Sequence, residues 1–293
     1  MAYLLGGLII AYTASKGAVD LPLVGVVKPW QLVFFYIGFP GLLIALLMFT
    51  IKEPLRRNLD GSIKTEPQKA PPIKVVFQHL KQHARTYLLI NLGIGIWSIL
   101  TYGGGAWMPS FLTRTYGYTI QEAAFVIGIM LLVCSTSGVF FGGWLADRFL
   151  KKGYKDAKVR VIAICIALSL PTGIIYPIFD NQTVMFIFLA SYLFLTKAPI
   201  GVAAAAIQEI TPNEMRGQAS ALYLFTLNLI GLGLGPTLVA LLTDFTFKDE
   251  AMLRYSLLIV GVTASIFAAF CFYLSMKPYR ETIEKLSRVE QEG

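Results

Sequence analysis

The stretch that decides how this chain is interpreted is Gly142-Gly143-Trp144-Leu145-Ala146-Asp147-Arg148-Phe149-Leu150-Lys151-Lys152-Gly153. It lies between two apolar runs, each long enough to cross a bilayer, which takes about 20 residues. Its glycines permit two helices to approach closely. Asp147 can accept hydrogen bonds from a neighbouring helix N-terminus, and Arg148 offers a fork-shaped partner for a carboxylate. A generic basic turn between two helices is the alternative.

The composition is that of a membrane protein. Of the 293 residues, 56% are hydrophobic and only 14% are charged, whereas soluble domains carry about 25% charged residues. The sequence therefore predicts a membrane chain without a separate soluble domain. The net charge of +8 does not indicate nucleic-acid binding, because the basic residues are distributed over short loops, as in cytoplasmic anchoring.

Metal, cofactor and enzyme signals are weak. Cys134, Cys165 and Cys271 all fall within apolar runs and are interpreted as small core residues. His79 and His83 lie in a polar linker without further ligand-type residues beside them. The sequence has no H-E-x-x-H motif, Ser/His pair or intramembrane acidic pair. We therefore expect no metal site, no cofactor and no enzymatic activity.

The chain alternates between apolar spans and polar connections. Residues 1–14 are predicted to be the end of a longer helix, residues 15–30 a loop, and residues 31–51 the first complete span, with aromatic residues at its entrance. A proline-broken basic linker follows at 52–84, and its part 73–84 is predicted to be an amphipathic helix on the membrane surface. The further predicted spans are 87–112, 120–146, 159–179, 184–206, 218–243 and 254–275, followed by a charged tail at 276–293.

Orientation follows from the distribution of Lys and Arg. The loops on the side of the linker and the tail contain 19 of these residues, the opposite loops contain 5, and Lys197 lies inside a span. Because cytoplasmic loops are enriched in Lys and Arg, the linker and the C-terminus are predicted to be cytoplasmic. The expected location is a cell membrane of bacterial inner-membrane type.

Two motifs resemble those of the major facilitator superfamily. Gly143-x-Leu145-Ala146-Asp147-Arg148-x-x-Lys151-Lys152 resembles the signature loop G-x-L-A-D-R-x-x-R/K-R/K. Pro212-Asn213-Glu214-Met215-Arg216-Gly217 resembles the P-x-x-x-R-G turn before helix eleven. The helix that starts at Arg216 and continues to Gly235-Pro236, with Asp244 after it, looks most like the spinster-like branch.

The resemblance implies an all-α integral membrane fold with two six-helix halves. On that plan this chain supplies a C-terminal six-helix bundle and the last one to two helices of the N-terminal bundle, and helices one to four are expected to be missing. The implied domains are the incomplete N-terminal bundle at 1–51, a cytoplasmic linker at 52–84, the C-terminal bundle at 85–275 and a cytoplasmic tail at 276–293.

The implied function is transport of a small solute, anionic or amphiphilic and including lipid-like molecules, by alternating access. The expected partners are this substrate, membrane lipids, the missing N-terminal helices and a coupling ion, either a proton or sodium; no nucleic acid is expected. A non-transporting receptor-like or scaffold membrane protein is the alternative.

Lys197 is the main candidate for substrate binding. A lysine deep in a span costs about 2.5–3.5 kcal/mol on insertion scales and usually faces a cavity. Pro199 should loosen the helix beside it and free a backbone carbonyl. Lys197 is thus a candidate contact for an anionic substrate group. The alternative is a lysine that extends to the inner headgroups.

Other polar residues in the spans are candidates too. They are Asn91, Tyr102, Tyr223, Thr226 and Asn228. Hydrogen bonding between helices is the alternative for each. The run 103–105 of three glycines is either a gate hinge or a close-packing site.

The candidate gating residues all belong to the predicted cytoplasmic ends. By resemblance, Arg148 and Glu209 should pair when the inner gate is shut. The gating set is Gly143, Asp147, Arg148, Lys151, Lys152, Glu209 and Arg216.

Overall fold

The computed structural model describes residues 2–22, 24–51 and 71–292. The predicted linker therefore lies outside the described residues over 52–70. The chain forms two compact units, one of residues 1–69 and 124–128 and one of residues 70–123 and 129–293. The two units are described separately below.

The first unit contains two helices and a small hairpin. Helix α1 spans Ala2–Lys16 and α2 spans Pro29–Met48. Between them, β1 (Val19–Leu21) pairs antiparallel with β2 (Gly25–Val27), so the region predicted to be a plain loop contains a two-stranded ribbon. Pro29 suits the first turn of α2, because its fixed φ is helical and its missing N–H would have no helical partner there.

The second unit consists of helices joined by short turns, and one of these helices, Ile120–Met130, contributes its residues 124–128 to the first unit. Their bounds are α3 Ile73–Gln82, α4 Ala84–Tyr116, α5 Ile120–Met130, α6 Thr136–Lys151, α7 Ala157–Ile178, α8 Gln182–Lys197, α9 Pro199–Glu209, α10 Arg216–Thr226, α11 Gly233–Leu241 and α12 Leu253–Glu292. A π-helical turn joins α5 to α6 at Leu131–Ser135, another joins α10 to α11 at Leu227–Leu232, and a third follows α11 at Leu242–Phe247. Single 3₁₀ turns at Asn213–Met215 and Glu250–Met252 precede α10 and α12.

The apolar spans predicted from the sequence are present as helices. Within the described residues, seven helical segments are long and apolar enough to cross a membrane. They are α2, α4, the α5–α6 span, α7, the α8–α9 span, the α10–α11 span and α12. The predicted surface helix is also present, as α3. The structure thus has the all-α membrane architecture that the sequence predicted.

Two predicted helix ends are wrong. The last span was predicted to end at residue 275, with a charged tail after it, but α12 continues to Glu292. The sequence analysis ended the second span of this unit at residue 146 and placed Asp147 and Arg148 in a loop, but α6 continues to Lys151. Neither glycine nor proline occurs from Trp144 to Lys152. Gly153 adopts a φ of +87° and ends the segment as glycines commonly do at helix C-termini. The signature residues therefore lie on a helical surface.

Helix α12 packs against α4 and α7 and forms the centre of the second unit. The largest fully buried side chains of the second unit include Trp97 and Phe111 of α4 and Phe272 of α12. Gly93 of α4 allows close approach to Phe272, because a Cβ at Gly93 would lie 3.1 Å from that ring. This central contact fixes α4, which carries several of the candidate site residues.

Candidate functional site

The break between α8 and α9 lies beside Lys197. Pro199 begins α9, and because proline has no N–H, the carbonyl of Leu195 loses its helical donor. The Nε1–H of the buried Trp97 on α4 donates to the next carbonyl, that of Thr196, at 3.0 Å. The tryptophan therefore holds the broken helix at the turn that precedes Lys197.

Lys197 lies near the middle of its span. The α8–α9 span runs from Gln182 to Glu209, so Lys197 is twelve residues from the end at Glu209, or about 18 Å at 1.5 Å per residue. The sequence-predicted span boundaries gave only about eight residues, or about 12 Å. This greater depth disfavours a lysine that reaches the headgroups.

The charge of Lys197 is not neutralised by a neighbouring acid. The side chain is partly buried, and it forms no ion pair with any acidic residue in the described part of the chain. A cation at this depth without a counter-ion is costly unless it faces water or an anionic ligand.

Two glycines of α6 contact the backbone of the broken helix. A Cβ at Gly138 would lie 2.3 Å from the carbonyl oxygen of Phe194, and a Cβ at Gly142 would lie 2.1 Å from that of Ala198. Glycines four residues apart are typical of close helix crossings in membranes. The sequence analysis expected this role for Gly142, and the structure adds Gly138. Gly143, by contrast, has no neighbour within 4 Å of its Cβ position.

A second close crossing joins α4 to the α10–α11 span. A Cβ at Gly103 would lie 2.9 Å from the carbonyl oxygen of Gly235, and the Oγ of Ser98 donates to the carbonyl of Leu227 at 3.0 Å. Helix α4 passes through residues 103–105 without interruption. Of the two roles suggested for the glycine run, a gate hinge or close packing, Gly103 therefore has the close-packing role.

The remaining polar candidates do not converge on Lys197. Asn91 and Thr226 line a cleft of about 490 Å³ between α3, α4 and α10, whereas Asn228 is exposed and lines a separate groove. Tyr102 is partly buried against Gly231, where a Cβ would lie 2.8 Å from its ring, and Tyr223 is buried.

Among the described residues, the two asparagines bond within their own helices and not to other helices, which was the alternative to substrate binding. The Nδ2 of Asn91 donates to the carbonyl of Tyr87 at 2.9 Å, and that of Asn228 donates to the carbonyl of Leu224 at 2.8 Å. Both acceptors lie four residues earlier on the same helix, where a carbonyl is within easy reach. The Oδ1 of Asn91 is buried and has no hydrogen-bond partner among the described residues.

The signature residues make few contacts in this conformation. Asp147 is exposed, and in the described ranges it forms no hydrogen bond or ion pair, so the predicted contact with a helix N-terminus is not made. The guanidinium of Arg148 lies over the ring of Trp144, 5.4 Å from its centroid. Lys151 and Lys152 are exposed.

Glu209 has other partners than Arg148 here. Its Oε2 pairs with Nζ of Lys158 at 3.0 Å and accepts a hydrogen bond from the hydroxyl of Tyr279 at 2.5 Å. Its predicted pairing with Arg148 was tied to a shut inner gate and remains a prediction. Arg216 donates from Nε to the carbonyl of Gln208 at 3.1 Å, which ties the C-terminal end of α9 to the start of α10.

The same end of the unit contains a buried acid that the sequence analysis missed. Asp156 is fully buried, and its carboxylate pairs with Arg160 at 3.0 Å and lies 3.7 Å from Nε of Arg280. Its spacing of four residues from Arg160 is a recognisable helical ion-pair signal. It was overlooked because residues 147–160 were treated as a solvated loop.

Comparisons with known proteins agree with this architecture. The sequence model of the Major Facilitator Superfamily matches residues 1–229. An MFS-type efflux pump of Mycolicibacterium smegmatis is 27% identical over 206 residues, which cover 69% of this chain and 47% of the pump. The D-galactonate transporter of Escherichia coli is 21% identical over 261 residues, covering 81% of this chain and 59% of the transporter. The chain thus spans about half the length of these curated relatives.

Solved structures share the fold. The inward-facing, unoccupied structure of a bacterial homologue of the human lysosomal transporter Spinster has a TM-score of 0.67 and 21% identity, and the match covers 97% of this chain and 68% of that one. The inward-facing, occupied structure gives a TM-score of 0.64 at 19% identity, covering 96% of this chain and 67% of that one. At these identities the likeness is one of fold. With the family match over most of its length, this chain is a multi-pass integral membrane protein that belongs to the Major Facilitator Superfamily.

Proposed function

We propose that this chain forms part of a secondary transporter that moves a small anionic solute by alternating access. In this proposal, residues 1–51 end the N-terminal bundle, 52–84 are the cytoplasmic linker, 85–275 form the C-terminal six-helix bundle and 276–293 are the cytoplasmic tail. In transporters of this design the substrate binds near the bilayer midplane between two repeated halves, which rock to expose it to either side.

The proposed orientation places the charged end of the second unit in the cytoplasm of a bacterial cell. The excess of Lys and Arg, 19 against 5, favours this arrangement. The ion pairs formed by Asp156 and Glu209 then lie at the cytoplasmic ends of the helices. We therefore propose the bacterial inner membrane as the location of the chain.

The proposal of an anionic substrate rests on Lys197. This lysine has no acidic partner in the described part of the chain, and it lies beside a helix break. Interrupted helices commonly form substrate sites in secondary transporters, because they free backbone groups at the midplane. The D-galactonate transporter of Escherichia coli, one of the similar proteins, is named for a carboxylate. We therefore propose a carboxylate-bearing solute whose anionic group pairs with Lys197.

The gating step proposed here is an exchange of ion-pair partners. Glu209 pairs with Lys158 in the present conformation, while Arg148 is stacked on Trp144. Closure of the cytoplasmic side would bring Arg148 to Glu209, and the surface lysines Lys151 and Lys152 would remain with the cytoplasmic headgroups. A proton or sodium gradient supplies the driving force in this scheme.

Uptake by proteoliposomes tests the proposal. The protein, expressed from its complete reading frame, is reconstituted with Lys197→Gln, Lys197→Arg and the control Lys277→Gln, which changes an exposed lysine within α12. We expect saturable uptake of radiolabelled D-galactonate or another sugar acid, at least a tenfold loss in Lys197→Gln, partial retention in Lys197→Arg and no change in the control.

Three outcomes would contradict the proposal in different places. Equal uptake by wild type and Lys197→Gln would remove Lys197 from the site. Saturable uptake of neutral sugars but of no sugar acid would refute the anionic substrate class. The absence of saturable flux for every solute would refute transport itself.

A further inference from the structure

Two histidines lie together where α3 meets α4. His79 belongs to the last turn of α3, and His83 lies between the two helices, just before the span that begins at Ala84. Their ring centroids are 5.0 Å apart, at an interplanar angle of 52°, and both side chains are partly buried. These two residues, called the histidine pair below, are not among the candidate substrate or gating residues.

One ring of the pair is bonded to the bundle. Nε2 of His79 lies 3.2 Å from the hydroxyl oxygen of Tyr87, and that hydroxyl donates to the carbonyl of Ile210 at 2.9 Å. Because a hydroxyl has a single hydrogen, it accepts from His79 in this arrangement, and Nε2 of His79 carries a hydrogen. A further proton would then bind at Nδ1 and leave the bond in place. This bond therefore holds α3 on the bundle in both charge states.

The surroundings of the histidine pair are predominantly cationic. The sequence has no Asp or Glu between residues 71 and 121, which include all of α3 and α4. The charged or titratable residues on the elements around the pair are Lys81 of α3, Arg85 and Tyr87 of α4, Glu209 of α9, and Glu281, Glu284 and Lys285 of α12.

The acids of these elements do not neutralise the pair. Glu209 pairs with Lys158 at 3.0 Å, and Glu284 pairs with Lys155 at 3.1 Å. Glu281 is exposed. In the part of the chain that the structure describes, neither histidine forms an ion pair with a carboxylate. A positive charge on either ring would thus meet only other cations and the second ring.

Protonation is disfavoured while α3 is docked. Burial lowers the pKa of His83, and the neighbouring His79 and Lys285 lower it further. On a released α3 the ring would be in water, where a histidine pKa is about 6.5. The docked state then binds fewer protons than the released state. Docking is therefore favoured above about pH 6.5 and is lost as the pH falls through the lowered pKa of His83.

The apolar contribution to docking is small. Within α3, which the structure describes in full, Val76 is the only buried residue. Ile73 is 84% exposed and Phe77 is 68% exposed. Because hydrophobic stabilisation grows with the apolar area removed from water, α3 is held weakly compared with the spans. Elements with few buried contacts open at low free energy, so a change of charge at the histidine pair is enough to release α3.

We propose that the histidine pair is a pH-sensitive switch, which keeps α3 docked on the bundle at neutral pH and releases it in acid. The switch connects the proton concentration on this side of the membrane to the position of a helix beside the end of α9, where Glu209 lies. Release with uptake of one proton changes the docking equilibrium by at most about tenfold per pH unit. The inference concerns docking alone and does not depend on the identity of a transported solute.

Pulsed electron paramagnetic resonance of the purified protein, expressed from its complete reading frame, measures docking. Nitroxide labels are attached to cysteines at the exposed positions Gln78 of α3 and Asn213 before α10, in a background whose native cysteines are alanine. Distances are recorded with EDTA present, so that the rings report protons and not a bound metal. We expect one short distance well above the ordinary histidine pKa of about 6.5, and a growing population of longer distances below it.

Two substitutions remove the proposed sensor. His83→Gln should keep α3 docked at every pH, because an amide does not titrate. His79→Gln should also flatten the pH response, and its amide can still donate to Tyr87. Circular dichroism verifies that each variant is folded. A distance that does not change with pH in the wild-type protein, or an unchanged response in His83→Gln, would refute the switch.

A matched pair of lysine substitutions tests the electrostatic cause. Lys285→Gln removes a cation that acts on His83, so the released fraction in acid should fall. Lys74→Gln removes the same charge from an exposed position in the first turn of α3 and should leave the response unchanged. Equal responses of the two variants would overturn the assigned cause. Because no uptake is measured, failure of the transport proposal would leave these outcomes unaffected.

Discussion

Gly142 and Gly143 form a natural matched pair for testing the crossing that supports the Lys197 region. They are adjacent on α6, but their surroundings differ. A Cβ at Gly142 would lie 2.1 Å from the carbonyl oxygen of Ala198, whereas a Cβ at Gly143 has no neighbour within 4 Å. Gly142→Ala should therefore force α6 and the α8–α9 span apart, and Gly143→Ala should not.

The size of the effect follows from these distances. Ordinary contacts begin near 3.4 Å, so the alanine at position 142 requires a displacement of about 1.3 Å between two backbones, neither of which can rotate away as a side chain would. Overpacking of this kind costs about 1–3 kcal/mol. Replacement of glycine by alanine within a helix favours the alanine by about 0.8–1.0 kcal/mol. Both variants gain this contribution, so the difference between their free energies of unfolding isolates the steric cost, about 1–3 kcal/mol.

Unfolding in mixed micelles measures this difference. The fraction of folded protein is followed by circular dichroism as a denaturing detergent is titrated, and the free energies of unfolding of the two variants are compared with that of wild type. We expect Gly143→Ala to equal or exceed wild type and Gly142→Ala to fall below Gly143→Ala by the stated amount. Equal free energies for the two variants would refute the close crossing, and with it the claim that the backbone beside Lys197 is held by α6.

Two further predictions concern charges and topology. Asp156→Asn should lower the free energy of unfolding by about 1.5–3 kcal/mol, because it removes a charged hydrogen bond of a buried carboxylate to Arg160. Asp180→Asn, whose carboxylate is 88% exposed, should change it by less than about 1 kcal/mol, and the same detergent titration compares the two. Single cysteines introduced at Lys152 and Asn181 should be labelled from opposite sides of the membrane by an impermeant maleimide, with Asn181 accessible from outside. Labelling of the cysteine at position 152 from outside would overturn the proposed orientation.

The fold was largely predictable from the sequence, because membrane spans depend on hydropathy over about 20 residues and not on single contacts. The superfamily was predictable from the segment around Asp147, since its residue order is specific. The structure nevertheless shows that this segment is helical to Lys151. Helix ends depend on capping geometry, here the positive φ of Gly153, which hydropathy does not report.

The candidate site was less predictable. Lys197 stands out in sequence because it is the one charge deep within a span, but its distance from the helix end was underestimated. The π-helical turn at Leu227–Leu232 has no local sequence signal, and it moves Asn228 away from the position that a regular helix would give it. The pairing of Arg148 with Glu209 was predicted for a shut inner gate and stays a prediction, since the two residues have other partners here.

The contacts around α4 bear on the motion proposed for this bundle. Two tryptophans on α4 donate to carbonyls of other spans, Trp97 to Thr196 at 3.0 Å and Trp107 to Pro236 at 2.9 Å, and both acceptors lie where a proline disturbs the helix. Gly103 is in backbone contact with the α10–α11 span, so a bend there would break packing on which the crossing depends. Close-packed elements with few alternative arrangements transmit displacement instead of absorbing it. In the described bundle, the interactions that can exchange partners are the ion pairs at the helix ends, and the close backbone packing lies at mid-span. This arrangement favours motion of the bundle as a rigid body over bending at the glycine run of α4.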